Sequence, residues 1–499
     1  MKINAKTIII GLSILLLATT LRFWNLNSLP IFADEAIYVR WSQVMRAESS
    51  LRFLPLSDGK QPLFMWLTIP FLKVVSDPLV AGRALSALAG LGTVIGIGLA
   101  SYFLFSNIRL SILTTLLAAV LPYLVFFDRM ALADSLLAMF LVWTFNFSYL
   151  SFIHRRLDLA MFAGFALGFA WLTKSPAIFA FFLLPLNFLF IPKYSAKNIL
   201  ISSFYFLVSV AIAFGMYNIL RLGPEFHQIA LRNADYVFPL AEILRHLLDP
   251  LLPHLKDSFL FFAYFLTPLG LLAAITGILA GGRSRWRTRL VLAAWWLGPV
   301  LVQSAIARAF TARYLLFTVP FAAILIGHAL EHIGQRTQKH FLSMAAAGLI
   351  ILPALAMDYL AVARPESLPL PRIERSGYLE DWTAGYGLRD VAQRLRQYAA
   401  AGPVLVGSEG FFGTPFNALQ LYLNDVSNVR VIGVGVWIDS VHEKLKNSLA
   451  DNQVFLVVNS TRLHADPDQI GLKLIVSYPK AYRPDGTREY LLFFQVLSK

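Results

Sequence analysis

Asp34 and Glu35 stand side by side in "LNSLPIFADEAIYVRWSQ" (Leu26–Gln43), directly after an apolar N-terminal stretch. Adjacent carboxylates repel each other unless a proton or a cation lies close. Two readings fit them. They open a helix, where an acidic first turn meets the positive end of the dipole; or they do chemistry, as a general base, as metal ligands, or as both. Tyr38 falls four residues after Asp34 and shares its helix face. A second acidic group lies in "FFDRMALADSLL", which carries Asp128, Arg129 and Asp134. Asp134-Ser135 can cap the helix that follows. Three charges at a membrane mouth also fit a polar cavity, because charge at membrane depth is costly.

Cations recur at comparable places: Lys60 in "DGKQPLFMWL", Arg83 in "AGRALSALAG", Lys174 in "WLTKSP", and Arg308, Arg313 and Tyr314 in "ARAFTARYLLFTVP". Each can snorkel to the interface. Convergence near carboxylates would instead suit an anionic substrate group such as phosphate. The chain has no cysteine, which excludes disulfides, thiol catalysis and Cys-based zinc sites. Glycine-rich nucleotide loops are absent from the sequence, and the nine histidines are scattered along it.

Such residues need elements to hold them. The chain has 499 residues, 57% hydrophobic and 14% charged, against about 25% charged in soluble domains. Its long apolar runs are continuous rather than alternating, so they predict a helical bundle and not a barrel. The runs predict eleven membrane helices, at 7–23, 79–104, 110–127, 132–150, 159–173, 176–191, 199–220, 258–280, 289–307, 312–331 and 340–360. Met1–Phe23 reads as a retained signal anchor. Alternate turns are short and basic: Lys2 and Lys6, Arg109, Arg155 and Arg156, Lys193 and Lys197, Arg283 to Arg289, Arg336 and Lys339. The loop 24–78 mixes both signs. This pattern predicts a multi-pass plasma-membrane protein with a cytoplasmic N-terminus and an extracytoplasmic C-terminal segment. It also explains most of the net charge of +14, and no nucleic-acid partner is implied.

Three parts follow. The loop 24–78 holds amphipathic pieces, "EAIYVRWSQVMRA" and "QPLFMWLTIPFLKVV", suited to lying flat in the interface. With the helices it makes a membrane domain over 1–362. Residues 363–499 change to the composition of an α/β domain, with strands expected at 403–407, 429–434, 454–459, 472–478 and 490–496 and a helix between the first two.

The order of the acidic pair, "GKQPLFMWL", "AGRALSAL", "DRMALADSLL", "WLTKSPA", "FTARYLLFTVP" and the final domain resembles the GT-C glycosyltransferases. The nearest branch holds protein O-mannosyltransferases and lipid A aminoarabinose transferases. The resemblance covers about residues 7–360. It implies a polytopic helical enzyme that takes a sugar from a polyprenyl-phosphate carrier on the outer face and passes it to an acceptor hydroxyl on a lipid, glycan or protein. It puts the catalytic carboxylate at Asp34, with Glu35 beside it and a second acid at Asp134. It puts a substrate-side lysine at Lys60 and carrier-phosphate contacts at Arg83, Lys174 or Arg313. Tyr38, Asp128, Arg129 and Tyr314 complete the expected substrate-binding set. No cofactor is certain; adjacent carboxylates and a phosphate could hold Mg²⁺ or Mn²⁺. One departure bears on that: the aminoarabinose-transferase branch often has a glutamate before the loop lysine, where this chain has Gly59.

The chemistry matches the residues independently. A hydroxyl nucleophile needs a proton acceptor, and a departing lipid phosphate needs positive charge where negative charge develops. One base and a cationic clamp suffice for direct displacement with inversion. Two rivals are a transporter or flippase for a lipid-linked sugar, which should show paired halves or broken helices, and a membrane-anchored sensor.

Overall fold

The computed structural model describes residues 4–246, 248–282 and 285–498. Lys2 and Arg283, two of the basic residues used for orientation, lie outside the described residues. The chain forms two compact units. The first comprises Met1–Leu26, Ser50–Leu67 and Arg83–Tyr359; the second comprises Asn27–Ser49, Thr68–Gly82 and Leu360–Lys499.

The first unit is helical, and each of the eleven expected stretches is helical in it. Among the described residues seven helices are long and apolar enough to cross a membrane: Ala5–Phe23, Pro78–Phe105, Ala133–His154, Ala196–Leu222, Trp286–Ile306, Ala312–Thr337 and His340–Ala363. Leu157–Thr173 and Ser175–Phe190 are apolar but shorter. The chain is a multi-pass integral membrane protein. Two expected single helices are broken pairs. Ile108–Val120 and Pro122–Asp128 meet at 50°, and Leu248–Phe265 and Pro268–Leu279 meet at 111°. Pro122 and Pro268 each stand at the start of the second piece, where a missing N–H costs nothing and a continuing helix would need one.

Burial sorts the helices. Residues 319–326 are fully buried, so that helix runs through the centre. Ala5–Phe23 and Ala196–Tyr217 expose Ile9, Leu12, Leu16, Leu200, Phe204 and Leu207, an apolar face suited to lipid. Close packing at the centre needs glycine: a Cβ on Gly277 would stand 2.2 Å from the Leu325 carbonyl oxygen. The basic turns share one end of the bundle. There Arg109 meets His340 at 2.8 Å, Arg285 donates to Leu104 O at 2.9 Å, and Tyr205 donates to Arg155 O at 2.7 Å.

The second unit is built on a mixed five-stranded sheet in the order β4-β3-β5-β7-β6. Its strands are β3 (Val404–Ser408), β4 (Val429–Gly433), β5 (Gln453–Asn459), β6 (Leu472–Tyr482) and β7 (Arg488–Val496). β3 pairs parallel with both β4 and β5, and β7 pairs antiparallel with β5 and β6. All five fall where the β-branched and aromatic runs predict them. Leu405, Leu445, Leu456, Val458, Phe494 and Val496 form part of one core. The helix Leu388–Ala399 buries Leu388, Val391, Ala392, Leu395 and Ala399, the i, i+3, i+4, i+7 face of an amphipathic helix.

Two segments of the loop 24–78 pack in this unit. β1 (Ile31–Phe32) pairs antiparallel with β2 (Ala384–Gly385). The helix Ala33–Ala47 packs against Phe416–Tyr422, where Gln43 donates to Leu421 O at 3.0 Å and Arg40 reaches Asn424. Its residues Ala36, Ile37, Tyr38, Val39, Trp41 and Met45 are buried. That helix is therefore covered by protein, not laid flat on a bilayer as its amphipathic pattern suggested; a protein core and an acyl layer both accept an apolar face.

Candidate active site

In the first unit three of the expected cations converge. Lys174 follows the helix Leu157–Thr173, whose last turn its N–H closes on Ala170 O at 3.1 Å. Its Nζ stands 2.5 Å from Asp134 Oδ1. Asp134 is buried in the first turn of Ala133–His154, where the helix dipole favours a carboxylate. The Tyr314 ring lies beneath the same ammonium, 4.5 Å to its centroid, and the Arg313 guanidinium lies 5.2 Å from that ring. Arg313 and Lys60 both act electrostatically on Lys174.

The Lys60 segment is tied to the Lys174 segment side chain to side chain. Gln61 donates to the Ser175 hydroxyl at 2.8 Å. Lys60 itself donates to the Tyr236 hydroxyl at 3.2 Å and lies 3.5 Å from Asp58. Asp58 also holds Arg232 at 2.7 Å. Between them Gly59 takes a left-handed φ of +67°, and a Cβ there would meet the Arg232 Cβ at 2.5 Å. This is the physical content of the departure at this position: the turn that presents Lys60 has no room for a side chain. Gln61, Ser175 and Tyr236 were not singled out in the sequence, where nothing distinguishes them from ordinary loop residues.

Arg83, Asp128 and Arg129 stand elsewhere in this unit, in a fully buried network. Arg22 pairs with Asp128 at 2.9 Å. Arg129 donates to the carbonyls of Leu21, Trp24 and Asn25, each at 2.8 Å, and Arg83 donates to Leu26 O at 2.5 Å. Guanidinium groups thereby satisfy carbonyls at and beyond the C-terminus of Ala5–Phe23, which has none of its own donors left. Gly90 makes the space, since a Cβ there would stand 2.2 Å from Asp128 Oδ2. Asp358, buried in the helix His340–Ala363, interacts electrostatically with Arg22 and Arg129. Arg22 and Asp358 were missed, although a lone charge in an apolar run is itself a signal.

The acidic pair lies in the second unit. Glu35 is fully buried, and its carboxylate accepts the Phe32 N–H at 2.9 Å, closing the first turn of Ala33–Ala47. Asp34, one residue before, is half-buried. Tyr38 is buried and stacks on Trp41, centroids 6.1 Å apart. The backbone N–H of Ala33 is fixed to Thr383 O at 3.1 Å. Glu35 is thus turned inward as a cap. Among the described residues no group of three His, Asp or Glu side chains is placed to hold a metal ion.

Comparison with known proteins bears on this arrangement. Residues 59–219 match the family model described as dolichyl-phosphate-mannose-protein mannosyltransferase. No curated protein matches the chain. ArnT from Cupriavidus metallidurans is similar in structure in its apo state, with TM-score 0.57, 15% identity, and coverage of 98% of this chain and 97% of that one. The same ArnT bound to undecaprenyl phosphate gives TM-score 0.60 at 16% identity, with 97% of each chain covered.

The chain has the GT-C fold. The oligosaccharyltransferase of Archaeoglobus fulgidus, in its apo form, shares it at TM-score 0.52 and 13% identity, over 97% of this chain and 74% of that one. Within this chain of GT-C fold, the matched segment begins at Gly59 and takes in Lys60, Arg83, Asp128, Arg129, Asp134 and Lys174. Asp34 and Glu35 precede it, and Arg313 and Tyr314 follow it.

Proposed function

We propose that this GT-C protein is a membrane glycosyltransferase that moves a sugar from a polyprenyl-phosphate carrier to an acceptor hydroxyl on the outer face of the plasma membrane, with inversion. One observation carries the reading: Lys60, Lys174 and Arg313 converge around Asp134 and Tyr314 at one end of the bundle, away from the end that gathers the basic turns. Three cations within mutual reach repel one another, and an anionic ligand relieves that cost. A lipid phosphate brings such an anion and leaves its prenyl chain in the bilayer. ArnT, a protein of the same fold, has been solved with undecaprenyl phosphate bound, which supports a ligand of this class.

The chemistry is a displacement at the anomeric carbon. The acceptor oxygen forms the new bond, the bond to the carrier phosphate oxygen breaks, and the acceptor proton goes to a carboxylate. Asp34 takes that proton in this reading. Glu35, already a hydrogen-bond acceptor within its own helix, holds the turn that carries Asp34. Lys60, Lys174 and Arg313 stabilise the charge that develops on the leaving phosphate. In this reading the opposite end of the bundle faces the cytoplasm, which the basic turns gathered there support.

The test is release of polyprenyl phosphate from a panel of polyprenyl-phosphate sugars by the purified, detergent-solubilised protein, alongside Asp34→Asn and Lys174→Met. Turnover of one donor that depends on both residues is the expected result. A folded Asp34→Asn protein with wild-type rates would sink the assignment of the base.

A further inference from the structure

The carboxyl ends of the parallel strands carry an aromatic surface that the transfer reading has not used. The chain leaves β3 to β4 on one side and then reaches β5 on the other, so β3 is the switch point where open α/β sheets receive ligands. Three loops leave these strands, and backbone hydrogen bonds stitch them together. Gly410 N–H donates to Gly435 O at 2.7 Å, Ile438 N–H to Arg462 O at 2.9 Å, and His464 N–H to Ile438 O at 3.0 Å. Phe411 is 63% exposed and Trp437 54% exposed. The Arg462 guanidinium lies 4.4 Å from the Trp437 centroid and 5.3 Å from that of Trp382. His464 stacks on Trp437 at 4.9 Å. Among the described residues the Arg462 side chain makes no ion pair or hydrogen bond, and its guanidinium lies against both indoles.

Flat rings interleaved with Arg, His and the buried Glu409–Asn459 pair (2.6 and 2.7 Å) differ from an apolar anchor. They offer a stacking face for a sugar ring and a fork of donors for a carboxylate or phosphate on it. The same surface is tied to the segment bearing Asp34. Thr414 donates to Trp382 O at 3.0 Å, the next carbonyl, Thr383 O, accepts from Ala33 N–H, and Phe412 packs on Trp41 at 5.8 Å.

We propose that Trp437, Arg462 and Phe411 form a platform for an acidic saccharide, the glycan of the acceptor. Its identity as the acceptor rests on the transfer reading; its existence as a site does not. The test uses the full chain in lipid nanodiscs without donor, so its outcome is independent of turnover. Saturation-transfer NMR is recorded with trigalacturonate, mannose 6-phosphate and the neutral maltotriose. Saturable transfer from an acidic saccharide is expected, at least fivefold weaker in Trp437→Ala and Arg462→Gln, with maltotriose weaker than either acid. Phe411→Ala, at an exposed ring, serves should Trp437→Ala fail to fold. No saturable transfer, equal transfer in folded variants, or an equal response from maltotriose overturns the proposal. So does quenching of Trp437 by spin-labelled lipid, which would make this surface a bilayer anchor.

Discussion

Lys174 and Asp134, forty residues apart in sequence, are joined at 2.5 Å where the start of one helix, Ala133–His154, meets the end of the next, Leu157–Thr173. The pair holds an ammonium over the Tyr314 ring, within electrostatic reach of Lys60 and Arg313. Removing the ammonium should therefore hurt more than loosening it. Lys174→Met should reduce release of polyprenyl phosphate by roughly 10²–10³, the range found when a donor to developing negative charge is lost. Asp134→Asn leaves the charge but not its tether, and should cost about tenfold. Initial rates and donor-binding titrations check both.

Asp34 and Glu35 should separate cleanly. Asp34→Asn should abolish transfer in a protein that still folds. Glu35→Ala removes the acceptor of the Phe32 N–H and should cost about 1 kcal/mol of stability. Circular dichroism melts and turnover, measured on the same preparations, check the pair. A stable Glu35→Ala protein would mean that the cap is not what holds this turn.

Much of this was legible from residue types and periodicity. The apolar runs predicted where the first unit is helical, though among the described residues seven helices, not eleven, are long and apolar enough on their own to cross a membrane, and the strand-like runs predicted all five strands of the large sheet. Pro122 and Pro268 were equally visible, and reading them as breaks would have split two helices correctly. The Leu388–Ala399 helix also carried its period openly. What could not be read was non-local. Nothing in Ile31–Phe32 announces that it pairs with Ala384–Gly385, more than 350 residues on. Nor does an arginine near a membrane surface reveal that, like Arg83 and Arg129, it donates to carbonyls inside the bundle.

The buried Arg22–Asp128 pair gives a third prediction. Neutralising one partner strands the other in a medium that solvates it poorly. Arg22→Met should destabilise by about 3–5 kcal/mol, while Arg22→Met with Asp128→Leu should recover much of the loss. Thermal melts in one detergent check this. A double variant no more stable than the single would assign the cost to packing instead.

Gly59 should resist the residue found in the related branch. Gly59→Glu forces a side chain into a left-handed turn against Arg232, at a cost of about 1–2 kcal/mol for the backbone alone. It should displace Lys60 and lower turnover, and added Mg²⁺ or Mn²⁺ should not restore it. Turnover with and without metal checks this.

The second unit should be least stable between about pH 7 and 8. Burial pushes the Glu409 carboxyl up to about 7, against opposing hydrogen bonds from Asn459. A raised acid binds its proton more tightly when folded, so its contribution is complete below about 4.5 and is lost as pH rises through about 7. That loss is roughly 3 kcal/mol. Burial also pushes the Lys480 ammonium down to about 8, against the attraction of Glu489 and Glu409. A lowered base releases its proton earlier when folded, so stability returns between about 8 and 10.5. Glu409→Gln should flatten the acid limb and leave the alkaline limb in place. The Asn459 amide can rotate to offer its unpartnered Oδ1 to the new amide. Hydrogen exchange of β3 and β5 in the intact chain, corrected for intrinsic rates from pH 5 to 10, reads both limbs. Protection that rises steadily from pH 5 to 7 in the wild type would reverse the sign and dismiss the assignment to Glu409.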